Sequence, residues 1–239
     1  MEWLFLPIDA TREHAVDLLV AWHGRLMVAA WAVLFPIGIL AARYYKIMPR
    51  QNWPRELDNK SWWWTHLTSQ YLGAALVGFG LLLVVFAPSG GAAGTWHQLV
   101  GWVLIGLCSL QLMSGWLRGS KGGPTDQAPD GSLHGDHYDM TLRRRIFEHY
   151  HKTLGYLALA LSCWAIVSGL WLANAPVWMW LVIAAWWVIL MAIGVVLQHR
   201  GRCVDTYQAI WGNDPALPGN QRRPIGWGVR RPSQRQARH

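Results

Sequence analysis

Four histidines, His23, His66, His97 and His151, each stand near one end of a long apolar stretch of chain. Hydrocarbon strongly disfavours ionisable groups, so a histidine inside a membrane-length stretch points to function rather than filler. Four of them, one per stretch, suggest axial ligands in pairs, two to each of two haems.

The stretches that must position them run over about 15–45, 62–87, 96–117, 150–173 and 177–197. Each meets the requirement of about 20 mostly apolar residues for a bilayer crossing. In lipid, a span of this kind satisfies its backbone polar groups only as a helix. Composition agrees: 53% of the 239 residues are hydrophobic, 14% are charged, and 18 are Trp. The charged share lies well below the roughly 25% of soluble domains. The expected fold is an all-α integral membrane protein with five transmembrane helices, the first four forming a four-helix bundle. Pro36, inside the first span, predicts a kink there. The expected organisation is a short outer N-terminal segment (1–16), a four-helix core (17–173), a fifth helix (174–198) and a basic tail (199–239).

The net charge of +8 is read as a topology signal rather than as a nucleic-acid footprint. The loop 43–60 carries five basic residues, the region 118–152 carries six, and the tail from Arg200 carries eight. Together they hold 19 of the 21 lysines and arginines, all on one side of the membrane. The positive-inside rule makes that side cytoplasmic. The N-terminus is then outside and the C-terminus inside. No basic n-region precedes a short apolar stretch, so no cleavable signal is expected. Trp62, Trp63 and Trp64 on the inner face, and Trp96, Trp171, Trp178 and Trp180 on the outer, read as interfacial belts.

Alternating helix direction then sets the depth of each histidine. His23 and His97 fall at the outer level, His66 and His151 at the inner. The first and third helices would hold one haem and the second and fourth the other, as diagonal partners in a bundle core. The two levels are about 25 Å apart at 1.5 Å per residue, less with tilt. Gly101 and Gly155 lie four residues after His97 and His151. Gly73 and Ala30 lie seven after His66 and His23. Residues so spaced share the histidine's face, where a flat macrocycle needs room. Close-packing glycines, common in membrane helices, are the plainer explanation of any one of them.

Zinc would want three or four ligands converging at one depth. No Cys-x-x-Cys-His motif offers covalent haem attachment. Cys108 and Cys163 read as small buried residues, and no disulfide framework is implied. The rival reading is a non-redox accessory subunit or transporter whose histidines relay protons or pack helices.

The first span reads His23-Gly24-Arg25-Leu26-Met27, then Trp31, Pro36, Gly38 and Ala42-Arg43-Tyr44. Later come His66, His97-Gln98-Leu99-Val100-Gly101 and His151-Lys152-Thr153-Leu154-Gly155. Over about residues 17–173 this resembles the cytochrome b561 superfamily, in the form found in cytochrome b561/DOMON-type membrane modules, here of a bacterial-like kind. The resemblance implies two non-covalent b-type haems, each held by two histidines, carrying electrons across a membrane. It also implies pairing of the first ligand with the third and the second with the fourth. It places the chain in a bacterial inner membrane, as an oxidoreductase or electron-transfer subunit. Partners would be the bilayer, an outer soluble redox protein or a larger membrane complex, with a homodimer also open, and no nucleic acid. No DOMON domain accompanies the core and no ascorbate site matches, so donor and acceptor do not carry over.

Haem propionates need cations. Arg25 is the outer candidate, and Lys152, Arg43 and Arg118 are the inner ones; for the inner three, a positive-inside anchor is the plainer role. The loop His134-Gly135-Asp136-His137-Tyr138-Asp139 could bind a metal, but a solvated loop is the simpler reading. His149 faces away from His151's side of its helix. The fifth span lacks histidine and reads as peripheral, lipid-facing or docking. The tail, with Pro215, Pro218, Pro224 and Pro232, reads as extended, lying on anionic lipid or binding a partner.

Overall fold

The computed structural model describes residues 2–87, 95–118, 123–127, 133–136 and 141–232, the two strand segments as backbone only. Five helical spans are long and apolar enough to cross a membrane. The first is composite. Helix α1 (Leu18–Val28) passes into a π-helical turn (Ala29–Leu34) and then into α2 (Phe35–Tyr44). The other four are α3 (Ser61–Val85), α4 (Trp96–Leu117), α5 (Leu142–Leu172) and α6 (Val177–His199). A short antiparallel ribbon, β1 (Gly123–Gln127) with β2 (Leu133–Asp136), lies between α4 and α5. Helix α7 (Thr206–Trp211) lies in the tail. The chain is an all-α integral membrane protein, the ribbon being a small addition outside its spans.

The observed bounds follow the apolar pattern closely, with one exception. Helix α5 begins at Leu142, about two turns before the apolar stretch, so it takes up Arg143, Arg144, Arg145 and Glu148. Local chemistry explains the start of α1: the Asp17 carboxylate accepts from the Leu19 and Val20 amides at 2.8 and 3.4 Å, capping orphan donors.

By contact density the chain forms two compact units. The first holds residues 1–38, 67–109 and 155–194; the second holds 39–66, 110–154 and 195–239.

In the first unit, Pro36 has no N–H for the carbonyl of Ala32, one turn back. The Trp186 indole donates to that carbonyl at 2.7 Å, and the π-helical turn precedes the proline. Displaced hydrogen bonding of this kind is a usual source of π-turns. Span five therefore docks on span one through Trp186, while no residue of α6 is buried. The N-terminal segment is strapped to the turn between α5 and α6. Asn174, almost fully buried, donates to the carbonyls of Asp9 and Arg12 at 3.0 and 2.7 Å and accepts from the Asp9 amide at 3.0 Å. The Arg12 guanidinium donates to the carbonyls of Trp171 and Leu172.

In the second unit the tail is folded, which corrects the extended reading. Residues 203–211 are all buried. Tyr207, Ile210 and Trp211 form a small core with Leu217 packed against it. Arg231 reaches the Asp205 carboxylate at 2.7 Å, and Val204 bridges to Arg230. The prolines mislead because they stop helices without preventing packing. The segment from Val204 to Trp211 mixes polar with apolar residues, so it gives no membrane signal, yet its Tyr207, Ile210 and Trp211 are enough for a small core. Nor do the inner tryptophans form a uniform belt: Trp62 is buried, Trp63 lies under the Arg118 guanidinium, and Trp64 is exposed.

Lys46 joins this core. It is 6% exposed and donates from Nζ to the Val204 carbonyl at 2.8 Å. Burial, reinforced by the neighbouring Lys152 charge, lowers its pKa to about 8. The unfolded chain, with an ordinary lysine, therefore holds more protons between about pH 8 and 10.5, so stability rises with pH across that window. Below pH 8 both states are charged and the full burial cost, about 3 kcal/mol, remains. Lys46→Met is expected to stabilise the unit at pH 7 and to flatten that rise. Thermal melts of both proteins at pH 7 and pH 10 read the effect. Parallel pH dependence in the two would contradict it.

Candidate metal centres

Two of the four histidines meet in each unit. In the first, the His23 and His97 ring centroids are 6.5 Å apart with planes at 82°. In the second, His66 and His151 are 6.3 Å apart at 76°. Two imidazole–metal bonds of about 2 Å plus two ring radii of about 1.1 Å come to about 6.2 Å. Both pairs thus stand at the separation of two imidazoles on opposite sides of one metal ion. Perpendicular planes are compatible with that, since each plane need only contain the common axis.

Second partners fix the tautomers. His23 Nδ1 lies 2.8 Å from the Gly80 carbonyl, which can only accept, so Nδ1 carries the proton. His97 Nδ1 lies 3.0 Å from Ser168 Oγ, whose own proton goes to the Ala165 carbonyl. His151 Nδ1 lies 3.1 Å from Ser114 Oγ, whose proton goes to the Gln111 carbonyl. A serine that gives its proton to that carbonyl presents lone pairs to its histidine, and the imidazole then donates from Nδ1. Nε2 is then the unprotonated, ligating nitrogen, the arrangement typical of metal-bound histidine. Among the described residues no group of three or more His, Cys, Asp or Glu gathers as a metal cluster.

The small residues divide. A Cβ on Gly101 or on Gly155 would meet nothing within 4 Å, so both leave open space four residues beyond their histidines. Those two fit a flat group beside its ligand. Gly73 does not: its space is filled by the Phe35 ring, 2.5 Å from where a Cβ would be. Ala30 is fully buried. Two positions absent from the sequence reading serve the histidines directly. Gly80 supplies the carbonyl for His23. A Cβ on Gly169 would stand 3.0 Å from His97 Cε1. The serines carried a legible signal: Ser114 follows His97 by 17 residues, and Ser168 follows His151 by 17.

The cations are placed less directly. Arg25 is exposed, its guanidinium 5.0 Å over the Trp22 ring. Arg118 lies 3.9 Å over Trp63, whose ring is 6.4 Å from His66. Lys152 donates to Glu148 at 2.7 Å and to the Ile225 carbonyl at 2.8 Å. Arg43 donates to Gln198 at 3.1 Å and to the Trp227 carbonyl at 2.7 Å. Arg43 and Lys152 thus hold the tail. Of the loop 134–139, only the backbone of 134–136 is described; His137, Tyr138 and Asp139 lie outside the described residues.

The chain is 30% identical over 148 residues to a cytochrome b561, DM13 and DOMON domain-containing protein of Arabidopsis thaliana. A cytochrome b561 and DOMON domain-containing protein of the same plant is 29% identical over 150 residues. The ferric-chelate reductase 1 of Bos taurus is 27% identical over 157. Over about 150 residues the chain is thus similar to proteins named for their cytochrome b561 domains. The matches cover 62%, 62% and 64% of this chain but only 14%, 27% and 22% of those relatives. No family model matches the chain, and no solved structure does.

The two serines allow a direct check. Ser168→Ala and Ser114→Ala each strip the acceptor from one Nδ1–H. Loss of such a partner typically costs 10–100-fold in metal affinity. With haem bound at the two pairs, each variant would be expected to release the one at its own pair more readily to apomyoglobin. Retention equal to that of the parent would remove the assigned role.

Proposed function

We propose that this chain carries electrons across the membrane through two non-covalent b-type haems, one on His23 and His97, the other on His66 and His151. The carrying observation is the repeated ring separation, 6.5 and 6.3 Å, with Nδ1 of three of the four imidazoles at hydrogen-bond distance from a second partner, which leaves Nε2 for a metal. Gly101 and Gly155 would leave room for the macrocycles, and Arg25, Arg43, Arg118 and Lys152 are the cations available to propionates. A bound haem supplies a one-electron couple set by ligation, hydrogen bonding and burial. The chain's share is to hold each imidazole as a neutral ligand in a fixed orientation and to wall the site from water. The histidine end nearer the N-terminus is proposed to face outward, with the basic tail cytoplasmic, in a bacterial inner membrane. Electrons would be exchanged there with a soluble outer protein or within a larger complex. The bovine relative's name makes a ferric chelate the first acceptor to try.

The test is a reduced-minus-oxidised spectrum of the purified protein. A b-type α-band is expected, with about two haems per chain by pyridine haemochrome. A chain purified intact from haem-sufficient cells without that band would overturn the proposal, leaving the histidines as proton-relay or packing groups.

A further inference from the structure

The folded tail makes a surface that the electron-transfer reading does not use. Arg145, Arg222, Arg223 and Arg231 line a shallow, open pocket with Glu148, Asp205, Tyr207, Gly219 and Ile225. Its two acids are already neutralised. Glu148 sits between Lys152 at 2.7 Å and Arg144 at 3.4 Å, and Asp205 holds Arg231 at 2.7 Å. Arg145, Arg222 and Arg223 are exposed and have no ion-pair partner among the described residues. The pocket thus keeps three uncompensated positive charges.

Their positions favour an anion. Arg145 stands in the first turn of a 31-residue helix, where the helix dipole disfavours a cation. Arg222 and Arg223 are held beside it rather than left to diverge. The Arg231 guanidinium donates to the carbonyls of Asn220 and Arg222 while gripping Asp205. Pro224 then narrows the conformations open to Arg223.

The same segment carries an aromatic anchor. Trp227 is 88% exposed, between Gly226 and Gly228, whose φ values are +120° and +63°. Three side chains pin the backbone around it. Lys152 donates to the Ile225 carbonyl, Arg43 to that of Trp227, and Gln198 to that of Gly228 at 2.8 Å. Arg43 and Gln198 lie in the last turn of their spans, and Lys152 lies where the apolar part of α5 begins. An indole held at that level is at the headgroup layer, where tryptophan is favoured. Ile225 both lines the arginine pocket and lies two residues before the indole.

We propose that this pocket binds the phosphate of an anionic phospholipid from the adjoining leaflet, with Arg145, Arg222 and Arg223 on the phosphate and Trp227 seated among the headgroups. Guanidinium forks suit phosphate oxygens, and basic surfaces beside spans are lipid-headgroup sites. The proposal needs no haem.

The test uses the full chain in neutral detergent, titrated with phosphatidylglycerol, phosphatidylcholine or inorganic phosphate and read by native mass spectrometry and melting temperature. One phosphatidylglycerol is expected to be retained, with phosphatidylcholine and 10 mM phosphate failing to replace it. Arg222→Ala with Arg223→Ala should weaken retention about 30-fold, the effect of two arginines at a membrane surface. Arg222→Lys with Arg223→Lys should keep most of it, and Trp227→Ala should weaken it less than the double alanine variant. Equal retention of the two lipids, or an unchanged affinity in the double alanine variant, would overturn the site. Displacement by inorganic phosphate would assign the pocket to a soluble phosphate and overturn the lipid reading.

Discussion

His23→Ala and His97→Ala are expected to remove the same haem, and the double variant to remove no more than either single one. Haem per chain should fall from about two to about one in all three. His66→Ala and His151→Ala should behave likewise for the other haem. A variant taking one histidine from each pair, such as His97→Ala with His66→Ala, should fall to about zero. This non-additivity follows from the geometry: a centroid separation of 6.5 or 6.3 Å leaves room for one metal between two rings and none for separate sites. Pyridine haemochrome per mole of chain reads the result. If His97→Ala and His66→Ala abolished the same band, with His23→Ala sparing it, the pairing would be wrong.

The meeting of these rings was legible because two rules act together. Span direction alternates, and a histidine near a span's start or end therefore has a depth. Charge then gives each depth its proposed side. Neither rule needs tertiary contacts, so His23 with His97 and His66 with His151 could be read from the chain alone. The companions of the histidines are another matter. Gly80 acts through its carbonyl, which every residue has, so its identity carries no such signal. Gly169 matters for the side chain it lacks, against a ring on another helix. Ser114 and Ser168 were visible in principle through the shared 17-residue spacing, since an antiparallel pair of helices can offer each other a histidine at one end and an acceptor at the other.

Gly73 shows the opposite error. Helical spacing put it on the face of His66, and spacing was right about the face but not about the occupant. The Phe35 ring fills the place, and Phe35 itself lies beside the π-turn that Pro36 and Trp186 share. A face pattern ranks positions by azimuth; it does not say which neighbouring side chain claims the space. The cations are harder to assign for a related reason. Arg43 and Lys152 sit at span ends, where propionates would need them, yet backbone carbonyls of a segment more than 70 residues away also take their donors.

Trp211→Ala is expected to cost about 3–5 kcal/mol, the usual effect of emptying a well-packed aromatic site. An extended tail would put the change within about 0.5 kcal/mol, as for a surface position. Trp211 is 1% exposed and stacks on Tyr207 with ring centroids 6.1 Å apart at 18°. Ile210 and Leu217 complete the cluster. The loss should appear as tail cleavage by chymotrypsin under conditions in which the parent resists, and as a lower melting temperature. It should also reach the proposed cofactors unequally. The tail holds Lys152, next to His151, so loosening it disturbs the His66–His151 pair. His23 and His97 belong to the other unit and keep Gly80 and Ser168 as partners. On heating, the variant should therefore lose one haem well before the other. His66→Ala, lacking the first of these to begin with, should then show a single late loss that Trp211→Ala does not advance. Simultaneous release of both haems from Trp211→Ala would mean that the tail supports the whole membrane core rather than one end of it.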